Sequence, residues 1–182
     1  TKKIIVVCSG AIALGSKSIT KSVIRKLEDK QAAASIGQIE LAYQWRSKLK
    51  KFKINVSQIL LTLEDSEIRR RYLNARNTIQ SLQNKNIIPI INENDTVATE
   101  EIRYGDNDKL AARVAQMIGA DLLVLMSDVD GLYEKNPKKI KNTKKISEIY
   151  KIDKKIEKLA KDQTSELGSG GMTSKIMAAK IC

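Results

Sequence analysis

Residues 87–95 read Ile-Ile-Pro-Ile-Ile-Asn-Glu-Asn-Asp. Ile87–Ile91 has no polar residue to mark a solvent face, so it reads as a strand buried on both sides, as strands of parallel sheets are. Pro89 removes one backbone donor and predicts an irregularity in the ladder. At Asn92 the character changes abruptly. Asn92-Glu93-Asn94-Asp95 is a dense cluster of acceptors at the carboxyl end of the strand, the edge where ligands gather in open α/β sheets. A turn rich in Asn and Asp also forms without a ligand.

Outward from this stretch, apolar runs alternate with helical patterns, the signature of an α/β chain. Lys3–Cys8 (KIIVVC) does not alternate either and reads as a second doubly buried strand, running into a Ser9-Gly10 turn. Ile54–Leu61 is a third, and Asp121–Ser127, the most hydrophobic, a fourth that ends in a turn at Asp128–Gly131. Between them, Gln31–Lys50 carries Leu41, Trp45 and Leu49 on one helical stripe, and Glu64–Gln83 carries Ile68, Tyr72, Ala75, Ile79 and Leu82 on another. Further helices are expected at Asp106–Ile118, near Ile152–Asp162, and from Met172 after the loop Gly168-Ser169-Gly170-Gly171. No repeat or low-complexity linker divides the chain. One domain is expected, a mostly parallel sheet with helices on both faces.

Composition removes several chemistries. The 182 residues contain no histidine, so there is no Ser-His-Asp triad, imidazole base or histidine metal ligand. A chain of this length buries roughly 70% of its unfolded surface and needs no disulfide or structural metal. Cys8 and Cys182, near opposite ends, form neither a zinc-type cluster nor a disulfide framework, and a reducing cytoplasm is the expected setting. No secretory signal is visible in a chain that begins at Thr1 rather than Met, and Ile4–Cys8 and Leu122–Met126 are too short to cross a bilayer. The net charge of +12 is concentrated: Glu134–Lys161 holds eleven lysines against four acids, with no arginine and one aromatic, Tyr150. Nucleic-acid readers favour arginine forks and stacking rings, so this stretch reads as a solvated lysine face.

Five polar segments fall at the ligand-bearing edge: Ser9-Gly10, Asn92–Asp95, Asp106-Asn107-Asp108, Ser127-Asp128 and Gly168–Lys175. Consecutive glycines before a helix let backbone N–H groups approach an anion, the helix adds its positive end, and Lys175 on the first turn reaches a phosphate as a point charge. The same residues also suit an ordinary surface loop. Asp106 reads equally as an N-cap with Asp108 favouring the helix dipole, and Ser127-Asp128 as the polar stop of a strand. Gly10–Ser18 (GAIALGSKS) imitates a P-loop, but Ser16 separates Gly15 from Lys17, and a one-residue slip loses the lysine and hydroxyl contacts. Its Ala-Ile-Ala-Leu interior reads as a helix.

Taken in order, six segments run through the chain: Ser9-Gly10-Ala11-Ile12-Ala13; Leu73-Asn74-Ala75-Arg76; Ile91-Asn92-Glu93-Asn94-Asp95; Gly105-Asp106-Asn107-Asp108; Ser127-Asp128 with Gly131-Leu132-Tyr133; and Gly170-Gly171-Met172-Thr173-Ser174-Lys175. Together they resemble the amino acid kinase family, in its glutamate-phosphorylating branch. The resemblance implies a three-layer αβα sandwich with a mostly parallel central sheet, L-glutamate at one half of the sheet edge and ATP at the other. By motif position Ser9, Asp95 and Asn107 would hold glutamate. Ser127, Asp128, Ser169, Gly170, Gly171, Met172, Thr173, Ser174 and Lys175 would line the nucleotide side. Lys175 would stabilise the transferring phosphoryl group, and Asp108 would organise the catalytic lysines. Also implied are Mg²⁺ with ATP, no metal held by protein side chains, homo-oligomers and inhibition by proline. The reaction would form L-glutamyl 5-phosphate, the first step of proline biosynthesis, with no nucleic acid or membrane as partner.

The chemistry suits this composition. A carboxylate is ionised at neutral pH and attacks phosphorus without a base, so the absence of histidine is no obstacle. Departures from the family pattern are specific. An earlier strand ending in a lysine-glycine-hydroxyl turn is absent, and Lys2 and Lys3 precede the wrong strand to replace it. The chain ends at Cys182, where the domain would continue, so residues 1–182 are expected to be a partial domain. Ser174 and Ser127 stand where threonine is usual. The alternatives are a sister kinase acting on another carboxylate or carbamate, and a non-catalytic remnant that binds glutamate or proline.

Overall fold

Strand β3 (Ile87–Glu93) is the middle of three. In a computed structural model describing residues 2–19, 26–98, 107–137, 140–162 and 171–182, β3 lies between β1 (Val6–Val7) and β2 (Asn55–Leu61), both parallel to it. The β2 ladder runs from Asn55 opposite Ile87 to Leu61 opposite Glu93, whereas β1 pairs only through Val6 with Ile90 and Val7 with Ile91. The remaining elements are α1 (Ala11–Ile19), α2 (Leu27–Lys50), a 3₁₀ turn (Glu64–Ser66), α3 (Arg69–Asn84), α4 (Asp108–Ile118), α5 (Lys154–Asp162) and α6 (Met172–Ile181). Helices cover both sides of the sheet, the expected α/β arrangement.

Lys3–Cys8 is thus a shorter strand than its sequence suggests, and Pro89 explains it. The Cys8 N–H donates to the Ile91 carbonyl at 2.9 Å, so odd-numbered residues of β3 turn their backbone groups toward β1. Pro89 faces the same way and has no N–H to offer, so the ladder begins only after it. Nor is this strand buried on both faces: Ile4 is exposed and residues 5–8 are half-buried, because β1 has no neighbour beyond it among the described residues.

Asp121–Ser127 departs further from expectation. It joins no ladder among the described residues and is not a strand. Its exposure nevertheless alternates, with Leu122 at 77%, Val124 at 65% and Met126 at 83%, and Leu123 and Leu125 half-buried between them. The period of two is there, but a strand without a partner cannot satisfy its backbone as a ladder.

The helix expected over Glu64–Gln83 is divided. The Thr62 N–H and hydroxyl both donate to the Asp65 carboxylate, at 2.7 and 2.9 Å, closing a local turn that competes with the helix. α2 begins at Leu27 rather than Gln31, and Glu28 and Asp29 favour its positive N-terminus. Ile59 and Leu61 of β2 face α3 and α4, where Ile79, Ile91, Leu110, Val114 and Met117 form the main core. Gln58, of opposite parity, faces α2.

α1 and α2 cross through two glycines. A Cβ on Gly37 would stand 1.8 Å from the Ala11 carbonyl oxygen, and one on Gly15 1.8 Å from that of Ala33. Both obstacles are helix backbone, so the helices must part to admit a methyl group. Gly37→Ala is expected to lower unfolding free energy by about 3 kcal/mol, the upper end for overpacking. A urea midpoint equal to that of the parent chain would show that the crossing separates without loss.

Candidate functional site

Three element ends meet at the carboxyl edge of the sheet. β1 delivers Cys8 and Ser9, and Gly10, at φ +110°, turns the chain straight into α1, where the Leu14 N–H already donates to the Gly10 carbonyl. β3 delivers Asn92 to Asp95. α4 brings Asn107, at its N-cap position, and Asp108, its first residue. The N-termini of α1 and α4 thus both open here, favouring negative charge.

Asn107 ties these ends together. Its amide donates to the Cys8 carbonyl and, at 2.5 Å, to Asn92 Oδ1. Asn92 is 3% exposed, and its own Nδ2 has no partner among the described residues. A buried amide donor left unpaired costs about 1–3 kcal/mol, so this group is a ready partner for an acceptor brought by a ligand. Asp95 lies three residues on, itself 8% exposed although Thr96 and Val97 beside it in the turn are exposed, and burial pushes its carboxyl up to about 6.

Lys175, in the first turn of α6, spans to Asp108. Its Nζ donates to both carboxylate oxygens, at 3.1 and 3.3 Å, with both side chains only 15% exposed. A cleft of about 1070 Å³ opens beside this pair. Its polar end holds Ser9, Asn107, Asp108 and Lys175. Its apolar length runs between the free edge of β1, at Ile4, Ile5 and Val7, and residues 122–126.

Of the sequence-derived candidates, Ser9, Asn107, Asp108 and Lys175 therefore share one cleft; Asp95 does not line it and follows Asn92, to which Asn107 donates. Ser127 and Asp128 are exposed and follow the cleft wall without lining it; Ser127 Oγ accepts from the Val129 N–H at 3.4 Å. Gly171 caps α6, Met172 packs with Leu132, Ala160 and Ile176, Thr173 is half-buried and Ser174 is buried. Ser169 and Gly170 lie outside the described residues, as does Asp106. In the sequence Asn92 is one of an acceptor cluster with no role of its own, and its one mark there is its position as the first polar residue after a buried strand. No described helix is long and apolar enough to cross a membrane.

A family comparison matches residues 1–182 to the amino acid kinase family. The chain is 59% identical, over all 182 of its residues, to a protein named Glutamate 5-kinase from Pelagibacter ubique (strain HTCC1062), covering 50% of that protein. It is 54% identical over 181 residues to the Glutamate 5-kinase of Paramagnetospirillum magneticum (strain ATCC 700264 / AMB-1), covering 49% of it. With the Glutamate 5-kinase of Rhodospirillum rubrum (strain ATCC 11170) it shares 50% over 182 residues and 48% of that chain. The chain thus spans about half the length of these curated relatives. With residues 1–182 matched in full, the chain belongs to the amino acid kinase family.

Proposed function

We propose that this chain carries the catalytic edge of an enzyme that transfers the γ-phosphoryl group of Mg-ATP to the side-chain carboxylate of L-glutamate. The observation that carries this reading is the Lys175–Asp108 pair set at the N-terminus of α4, next to the buried, unpartnered amide of Asn92. One end offers positive charge for a phosphoryl group. The other offers a donor, Asn92 Nδ2, and an acidic side chain, Asp95, suited to the carboxylate and ammonium of an amino acid. Relatives at 50–59% identity bear the name of this activity.

In the reaction a carboxylate oxygen of glutamate forms a bond to phosphorus as the bond to the ADP oxygen breaks. The nucleophile is already ionised and no base is required. What needs help is an anion approaching a polyanion. Lys175 neutralises charge on the transferring oxygens, and Asp108 holds the ammonium in line. In this reading Mg²⁺ would arrive with the nucleotide's phosphates and would supply further positive charge to the transferring group. A cytoplasmic setting belongs to the same reading and agrees with the two free cysteines.

The domain is partial in this reading. The apolar length of the cleft is a slot between the unpaired edge of β1 and the unpaired segment 122–126, and it suits a further parallel strand from outside residues 1–182. Relatives twice as long, and the exposed Leu122, Val124 and Met126, support that occupant.

Hydroxylamine trapping tests both statements. With Mg-ATP, the longer natural protein is expected to form hydroxamate from L-glutamate and at least tenfold less from L-aspartate. Equal rates would point to a sister kinase. Full activity from the 182-residue chain alone would show that the slot needs no further strand.

A further inference from the structure

Helix α2 meets the Asp95 turn with two side-chain amides on one face. Gln31 and Gln38 are seven residues apart, close to two helical turns. The Gln38 Nε2 donates to the Glu93 carbonyl at 3.2 Å, and the Gln31 Nε2 to the Ala98 carbonyl at 3.3 Å. Those carbonyls bracket residues 94–98, the turn that contains Asp95. Inside the bracket the Val97 and Ala98 N–H groups both donate to the Asn94 carbonyl at 3.1 Å, and the Asn94 N–H donates to Leu61 at 2.9 Å.

The orientation of Gln38 is itself fixed. It is buried, and its Oε1 accepts from Gln58 Nε2 of β2 at 3.1 Å, which leaves its nitrogen to face Glu93. Ala98 adds a packed anchor, clustering with Ile12, Ala33 and Ala34. Neither glutamine lines the cleft. A rigid element thus grips both ends of a short turn that would otherwise carry its acidic side chain on mobile backbone.

We propose that Gln31 and Gln38 are positioning residues that clamp residues 93–98 onto α2 and so hold Asp95 in place for an amino-acid substrate. The proposal rests on the reading of Asp95 as part of the glutamate site. A carboxylate that meets an ammonium must be held within a fraction of an ångström, and releasing either end of the turn lets it withdraw.

The test is made in the full natural protein. Gln38→Met and Gln31→Met keep length and remove the donor. Each is expected to raise the KM for glutamate about tenfold, with kcat and the KM for ATP within twofold of the parent. Exchange of the Val97 and Ala98 amides should quicken at least tenfold while that of Ile90 and Ile91 holds. Gln31→Lys restores a donor at a half-buried position and should recover the parental KM; it also serves if the buried Gln38→Met fails to fold. Equal losses in glutamate and ATP parameters, or an unmoved glutamate KM in the folded variants, would overturn the clamp. Asp95→Asn, measured alongside, separates the two ideas: an unmoved glutamate KM there marks failure of the site reading. A raised KM there beside unmoved glutamine variants marks failure of the clamp.

Discussion

Lys175→Ala is expected to reduce kcat for glutamyl phosphate formation by roughly 100- to 1000-fold, the usual cost of losing one charge-stabilising donor, while glutamate affinity changes less than about threefold. The split follows from position. Lys175 meets Asp108 at 3.1 Å at the polar end of the cleft, whereas Asn92 and Asp95 are not among the residues that line it. A group that meets charge only as the phosphoryl moves lowers kcat without weakening ground-state binding of the acceptor. Stability needs a control, because removing one member of a largely buried pair leaves the other uncompensated, costing about 3 kcal/mol. The double variant Lys175→Met with Asp108→Asn removes both charges. It should recover much of the stability lost in Lys175→Ala and none of the activity. Turnover equal to the parent in Lys175→Ala would remove this lysine from the mechanism.

The sequence reveals the elements whose neighbours lie within the described chain. KIIVVC and IIPII both announce strands, and both are found; Pro89 signals the irregularity, but its result, a ladder on the β1 side starting only at Ile90, depends on which neighbour that residue faces. Residues 121–127 show how a hydrophobic run can mislead. Their exposure alternates as a strand's would, yet pairing is a property of two segments, and no sequence window contains the second. The lysine-rich stretch hides the opposite case. Its Ile146, Ile149, Ile152 and Ile156 pack with Leu132, Ala160 and Ile176 beneath a solvated lysine surface, so charge density concealed a small core. The motifs mark Asn107, Asp108 and Lys175, which the fold brings to one cleft, whereas the unpaired buried nitrogen of Asn92 is something only the fold creates.

Asp95→Asn is expected to raise the KM for glutamate about 30-fold, within the range for losing a hydrogen bond to a charged group, with the KM for ATP within twofold. A selective loss of ATP affinity would instead reverse the assignment of the two halves. The pH dependence identifies the group more sharply. Burial holds the Asp95 carboxyl at about 6 against an ordinary 3.8, so glutamate binding should weaken as pH falls through about 6, when the carboxylate that meets the ammonium is protonated. The sign for stability runs the other way. Between about pH 4 and 6 the unfolded chain has released this proton and the folded chain keeps it, so this residue makes folding less favourable as pH rises across that window, with no further change above it. Asp95→Asn should therefore flatten that part of the profile and leave the variant more stable than the parent at pH 7.5, as judged by urea midpoints at pH 4 and 7.5. A gain in stability joined to a loss of glutamate affinity is what a buried carboxylate kept for its ligand predicts. A surface aspartate would move neither.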